Sequence, residues 1–129
     1  DKFYINLKMV LIDIFSSLNS QKNGGSLVVK LYNISDELMN DILFIFTGFY
    51  EKVYLINSNI NNGFHVICKT FSKHNIEIIN NIINYMKSIP ENIEIAKIID
   101  YNLPQFFIYK INECKMILKK ITYENIGLI

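Results

Sequence analysis

The sequence feature that most constrains the fold is a glycine pair followed by a short apolar run that contains one lysine. Residues 24–32 read GGSLVVKLY. Glycines often end helices because they adopt the left-handed conformation without strain, and a short apolar run bounded by turn residues is typical of a strand. A lysine inside such a strand is costly to bury unless it is paired or functional. Lys30 is therefore the first candidate for a functional residue.

The composition indicates a single folded domain. The chain has 129 residues, half of them hydrophobic, and a net charge of +1. The hydrophobic content excludes a disordered chain, and the low net charge means that any nucleic-acid-binding patch must be local. All 13 basic residues are lysines, so the bidentate contacts that arginine makes with phosphates are absent. No apolar run reaches the ~18 residues of a membrane span, and no signal peptide is visible.

Cysteine and histidine usage predicts a reducing, cytoplasmic location and no metal site. Cys68 and Cys114 are far apart and lack metal-ligand spacing, which favours reduced thiols in an intracellular compartment. His65 and His74 are too few and wrongly spaced to bind a metal. We expect Cys68 to lie in the core. His65 falls on the strand next to the candidate site, where a role facing RNA stays open.

Periodic apolar residues predict four helical segments. Spacing of three and four residues indicates a helix over about residues 2–20. Ser35 is a good N-cap for a second helix that ends near residues 48–50. A third helix is predicted over residues 75–89 and a fourth from Pro104 to about residue 120. The intervening residues 93–101 fit either a helix or a strand.

Three strands are predicted between these helices. The nearly continuous apolar character of residues 26–32 predicts a strand covered on both faces, as in a parallel sheet. Residues 52–57 and 64–71 predict two further strands, which pair as an antiparallel hairpin across a turn-rich loop. The resulting αβαββ order indicates an α/β fold with helices between the strands of one sheet.

These segments together resemble the second half of the FtsJ-like RNA ribose 2′-O-methyltransferases. The resemblance lies in Leu7-Lys8, in residues 24–32, in YEKVYLI over residues 50–56 and in VICKTF over residues 66–71. It implies the C-terminal half of a class I, Rossmann-like methyltransferase sheet with a closing antiparallel hairpin, followed by C-terminal helices. It also implies that Lys30 is a catalytic lysine of the family's Lys-Asp-Lys-Glu tetrad, which activates the ribose hydroxyl.

The same resemblance implies the cofactor, the partners and the organisation of the chain. The cofactor would be S-adenosylmethionine, bound mainly by residues absent from this sequence, and the substrate would be RNA, with capped mRNA as the expected kind. Residues 1–72 would form the methyltransferase half and residues 73–129 a helical extension packed on it. Because the chain begins within a helical pattern, we interpret it as a fragment. We expect self-association or a partner chain at its exposed sheet edge.

One departure from the family keeps a second function open. Aligned on Val66-Ile67-Cys68, the place of the tetrad's last acidic residue falls at Gly63, and no acidic residue lies between Lys52 and Glu77. The alternative is a catalytically inactive methyltransferase-like domain that serves as an RNA-binding or subunit-binding scaffold. A third interpretation is an α/β domain with only a superficial resemblance. Structural roles are expected for the remaining polar and aromatic candidates, which are Asp13, Tyr32, Tyr50, Tyr54, Lys115, Lys119 and Lys120.

Overall fold

Helices and strands alternate along the first part of the chain, and helical segments follow. The computed structural model describes residues 2–32, 34–57, 63–72, 76–90, 92–99 and 101–114. The elements are α1 (Lys2–Ser17), β1 (Ser26–Leu31), α2 (Asp36–Phe49), β2 (Tyr50–Asn57), β3 (Phe64–Phe71) and α3 (Ile76–Ser88), followed by the described part of α4 over residues 105–114. The predicted αβαββ order is confirmed, and the undecided residues 93–99 are neither helix nor strand.

The predicted helix boundaries have clear local causes. The Ser35 hydroxyl accepts a hydrogen bond from the backbone N–H of Leu38 at 3.3 Å, which satisfies a donor that the first turn of α2 would otherwise leave unpaired. Asp36 and Glu37 stand in that first turn and complement the helix dipole. At the other boundary, Gly24 adopts a φ of +81°, a conformation that turns the chain from the α1 segment into β1.

The three strands form a sheet in which β3 lies between β1 and β2. β3 runs antiparallel to both neighbours, so β1 and β2 run parallel to each other. The predicted hairpin between β2 and β3 is therefore confirmed. In its described part the protein is thus mixed α/β, with a small sheet whose paired strands are antiparallel, four α-helices and one short 3-10 helix.

Helices of the described part of the chain cover only one face of this sheet, so the prediction that β1 is covered on both faces is wrong. Val29 and Leu31 are buried together with Val66 and Cys68 of β3, in one core with α1, α2 and α3. Val28, between the half-buried Leu27 and the buried Val29, is 63% exposed. An unbroken apolar run cannot separate a strand between two layers of helices from one at the edge of a two-layer fold. In the described residues the helices pack on a single side.

The end of β3 departs from strict alternation. Residues 64, 66 and 68 face the core, so alternation would place Phe71 on the exposed side with Lys69. Phe71 is instead buried against Phe49 and Tyr50, with ring centroids 6.2 and 5.2 Å away. The cause is Thr70, whose φ of +67° lies in the left-handed region. This reversal closes one end of the core and ends the exposed face after Lys69.

The segments after the sheet pack on the helices. α3 lies against α1 and against the short 3-10 helix Leu18–Ser20 that follows it. The Asn19 side-chain amide of this 3-10 helix donates to Asn80 Oδ1 of α3 at 3.1 Å. α4 reaches α2 through an edge-to-face contact between Phe44 and Phe107, with ring centroids 5.1 Å apart. The division at residues 72 and 73 stays a prediction. His74, Lys115, Lys119 and Lys120 lie outside the described residues.

Candidate functional site

The exposed side of the sheet carries the candidate catalytic lysine. The strand register places three rows of side chains on this side, one residue from each strand in a row. We call it the open face. Its rows are Ser26, Lys69 and Lys52, then Val28, Ile67 and Tyr54, and then Lys30, His65 and Ile56.

Lys30 lies near the carboxyl end of β1 and is exposed to solvent. Its neighbour across the sheet is His65, which is half-buried, and Ile56 follows on the far strand. Within the described part of the chain, the Lys30 side chain makes no hydrogen bond or ion pair. The structure therefore leaves the Lys30 side chain accessible to a ligand. It also places His65 next to Lys30, on the strand beside the candidate site, as the sequence predicted.

The open face is basic. Lys52 and Lys69 lie directly opposite each other on adjacent strands, and both are exposed. Directly opposed side chains on a sheet have Cβ atoms about 5 Å apart, a distance at which like charges repel. Among the described residues the ion pairs are those of Lys97 with Glu37 and Asp41, so neither lysine of the opposed pair has a carboxylate partner there. The face thus combines unbalanced positive charge with exposed apolar side chains.

Gly63 stands at the position that the resemblance assigns to the last acidic residue of the tetrad, and the Tyr32 ring fills the space beside it. Gly63 is buried, and a Cβ there would overlap the Tyr32 ring and lie 3.0 Å from the Leu31 carbonyl oxygen. A side chain at residue 63 therefore requires the Tyr32 ring to move.

Cys68 and Tyr50, two of the sequence candidates, lie in the core. Cys68 is fully buried, and this burial raises the pKa of its thiol to about 12, which makes it a poor nucleophile near neutral pH. Burial, and secondarily the neighbouring Cys68, also raises the pKa of Tyr50. The Tyr50 hydroxyl donates to Gln21 Oε1 at 2.8 Å. The expected core position of Cys68 is confirmed.

Tyr54, Tyr32 and Asp13 occupy three different environments. Tyr54 is 46% exposed in the middle row of the open face, where it is available to a ligand. Tyr32 is half-buried beside Gly63. Asp13 is exposed on α1. Tyr54 is therefore the aromatic candidate that the structure brings to the same surface as Lys30.

A buried carboxylate on α2 was not singled out by the sequence. Asp41 is fully buried and accepts hydrogen bonds from the backbone N–H groups of Ile98 and Ile99 at 2.9 and 3.1 Å. The Lys97 amine contacts its other oxygen at 3.3 Å. The sequence does hold a signal, because Asp41 is the single acidic residue in the mostly apolar stretch of residues 38–46. Lys30 was singled out for the same reason, as a charged residue within an apolar stretch. Because all its contacts are internal, Asp41 anchors residues 97–99 to α2.

An apolar cleft of about 540 Å³ lies on the covered side of the sheet. It is bounded by α2, α3, residues 97–99 and Tyr101, with Phe44, Phe49 and Ile82 among its walls. None of the residues that line it belongs to the open face, so it is separate from Lys30.

Comparisons with protein-family models, curated proteins and solved structures return no match. Within the described residues, no helix has both the length and the apolar character needed to cross a membrane. The same residues hold no cluster of three or more His, Cys, Asp or Glu side chains able to bind a metal.

The residues present do not fit S-adenosylmethionine. The sequence has no glycine-rich GxGxxG loop after a strand, the element that such folds use for a nucleotide-like ligand. At the carboxyl end of β1, the Tyr32 ring fills the space beside Gly63. No step of a mechanism can therefore be derived through this cofactor from these residues.

Proposed function

We propose that this chain is part of an FtsJ-like RNA 2′-O-methyltransferase, in which Lys30 occupies the position of the lysine that activates the ribose hydroxyl. One observation carries the proposal. β3 is inserted antiparallel between two strands that run parallel to each other, with α2 connecting them. This is the arrangement with which the class I methyltransferase sheet closes. Lys30 lies near the carboxyl end of β1, the end of a strand at which α/β folds place ligands.

Lys30 would supply proton transfer. A ribose hydroxyl is a weak acid, and its oxygen becomes a nucleophile as its proton leaves. A neutral lysine amine positioned at that hydroxyl accepts the proton and becomes an ammonium ion, a role of general-base catalysis that contributes roughly 10²–10⁴-fold in rate. In the described structure the Lys30 amine is solvent-exposed, so the bound RNA must itself exclude water from it.

A second candidate function is a catalytically inactive methyltransferase-like scaffold that binds RNA or another subunit. Two observations favour it. The Tyr32 ring occupies the space that a side chain at Gly63 would need, and no carboxylate contacts Lys30 in the described residues. In this case Lys30 contributes positive charge for binding rather than proton transfer.

Methyl transfer to capped, unmethylated RNA separates the two functions. The assay uses the full natural protein as wild type, Lys30→Ala and Lys30→Arg, with Lys87→Ala as a control because Lys87 is exposed on α3, away from the open face. If Lys30 is the base, Lys30→Ala lowers the rate by about 10²–10⁴-fold with RNA affinity nearly unchanged. Lys30→Arg does not restore activity, because a guanidinium stays protonated. An inactive wild type, or a fully active Lys30→Ala variant, would exclude the enzymatic proposal.

A cofactor titration gives an independent check. Calorimetry of the 129-residue chain with S-adenosylmethionine should show no heat above dilution, because the residues present form no site for it. Saturable micromolar binding would show that the described residues hold the cofactor in a way that the family does not use.

A further inference from the structure

We propose that the apolar cleft between α2, α3 and residues 97–99 binds a flat, uncharged aromatic molecule. Its volume of about 540 Å³ lies within the range of small-molecule sites. A dry cavity of roughly 150 Å³ is enough for benzene, so the cleft would hold a molecule of about two or three rings. The inference does not require methyl transfer, because the cleft shares no residue with the open face.

Two aromatic walls of the cleft are held in place by packing inside the protein. The Phe44 ring makes an edge-to-face contact with Phe107, with centroids 5.1 Å apart. The Phe49 ring stacks on Phe71, with an angle of 15° between the ring planes. A ligand that enters such a pre-formed site does not have to order its walls. Aromatic walls favour an aromatic ligand through offset-stacked and edge-to-face contacts.

The buried Asp41 positions a further wall. Residues 97–99 line the cleft without belonging to a helix or strand. The backbone N–H groups of Ile98 and Ile99 donate to Asp41 at 2.9 and 3.1 Å, which holds this segment against α2. Asp41 does not itself line the cleft, so it acts on the site by positioning this wall.

The charge of the lining favours an uncharged ligand. Lys97 is its one charged residue. The Lys97 amine lies 3.3 Å from Asp41 and 3.9 Å from Glu37, and neither carboxylate lines the cleft. An anionic ligand would therefore find no unpaired cation there, and burying its charge would be unfavourable. Neutral polar groups of the lining are exposed and available to a hydroxyl or amide of the ligand, on Asn81, Tyr85 and Tyr101.

Gly48 leaves open the space that a larger residue would fill. It lies near the end of α2 and lines the cleft. A Cβ there would meet nothing within 4 Å, and the backbone does not have the positive φ that favours glycine. Glycine is also a poorer helix former than alanine. A side chain on a helix lies over the preceding turn, so one at residue 48 would lie toward Phe44 and Ile45, both of which line the cleft.

Other occupants fit less well. A stable protein interface takes about 20–30 residues from each partner, whereas twelve residues line the cleft. The cleft is therefore small for a partner protein or a second copy. The methyltransferase half that the resemblance implies would continue the sheet beyond β1, and no residue of β1 or α1 lines the cleft.

The test uses N-phenyl-1-naphthylamine, an uncharged aromatic probe whose fluorescence rises in apolar surroundings. The probe is titrated into the full chain as wild type and Gly48→Leu. The matched control is Thr47→Leu, which adds the same side chain at the neighbouring exposed position outside the cleft. A second variant, Ile78→Asp, places a charge in the lining at an exposed position, with Ile93→Asp as its exposed control outside the cleft. Urea unfolding checks that each variant is folded.

The proposal expects saturable binding of one probe per chain. Gly48→Leu and Ile78→Asp should each weaken binding at least about tenfold, the equivalent of about two buried methylene groups, whereas both controls keep the wild-type affinity. Gly48→Leu should be at least as stable as the wild type, because leucine is the better helix former.

Competition tests the expected charge. The neutral 2-naphthol should displace the probe at least about tenfold more effectively than the anionic 2-naphthoate, which has the same rings. Equal displacement by the two competitors would overturn the proposal. So would the absence of saturable binding, wild-type affinity in a folded Gly48→Leu or Ile78→Asp variant, or binding that weakens as the protein concentration rises, which would assign the cleft to a second copy.

Discussion

The two faces of the sheet are built from the same three strands but differ in burial and in charge. On the covered face, Val29, Val66 and Cys68 are buried among the helices. On the open face, the alternate positions carry three lysines, a histidine and exposed apolar side chains. Side chains on the covered face are selected for volume and apolarity, because they fill a close-packed core. Those on the open face cannot be explained by packing in the described structure, so they are the better guide to function.

The largest effect is expected at Asp41, the one buried charged side chain among the described residues. Replacing Asp41 by alanine would leave the buried N–H groups of Ile98 and Ile99 without their acceptor and would remove the Lys97 contact. Such losses cost about 3–5 kcal/mol. Urea unfolding measures the change. The matched control is Glu37→Ala, whose ion pair with Lys97 is exposed and 3.9 Å long and should contribute less than about 1 kcal/mol. Equal effects of the two variants would show that Asp41 is not the anchor of residues 97–99.

A pair of valines tests the comparison between the faces most directly. Val66 is fully buried on β3 and Val28 is exposed on β1, so Val66→Ala and Val28→Ala delete the same atoms from opposite faces. Val66→Ala should cost about 2 kcal/mol, from lost burial and the cavity left behind, and Val28→Ala less than about 0.5 kcal/mol. Thermal and urea unfolding both report the difference. A large cost for Val28→Ala would show that the open face is covered in solution.

The sequence predicted the elements well because their local signals are strong. The Ser35 cap, the turn glycines and the short apolar runs that predict the strands each act within a few residues. The antiparallel hairpin followed from two such strands across a short turn-rich loop.

The exposure of Val28 could not be predicted in the same way. Whether a second layer covers β1 depends on elements distant in sequence, and an apolar run has the same appearance in both cases. The opposition of Lys52 and Lys69 depends on the register between two strands, which the loop between them left open. Asp41 was missed for a different reason, since its partners are backbone N–H groups of a segment with no regular structure.

Alkaline pH should destabilise the covered side. Burial raises the pKa of Cys68 to about 12 and raises that of Tyr50. The Cys68 thiol ionises near pH 9 in the unfolded chain and near pH 12 in the folded protein. Below pH 9 the thiol is neutral in both states, and the stability does not depend on its ionisation. As the pH rises from 9 toward 12, ionisation favours the unfolded chain, and the stability falls. The free energy of unfolding should therefore fall by up to about 1.4 kcal/mol per pH unit for each group, above pH 9 for Cys68 and above pH 10 for Tyr50. Urea unfolding at pH 7, 9 and 10 measures it. Cys68→Ala should show a shallower fall, and an unchanged slope would contradict the assignment to Cys68.

The smallest change in stability is expected from reversing one charge of the opposed pair Lys52 and Lys69. This change tests the open face most directly. Lys69→Glu places a carboxylate opposite Lys52 and replaces repulsion by attraction, which should raise the free energy of unfolding by about 0.5 kcal/mol. Because both groups are exposed, 1 M salt should remove most of this gain. Lys22→Glu, outside the sheet, serves as the control and should have no comparable effect. A gain that salt removes would mean that the natural Lys52–Lys69 pair lowers the stability of the isolated sheet. A neutral or destabilising Lys69→Glu would show that the repulsion between Lys52 and Lys69 does not lower the stability of the sheet.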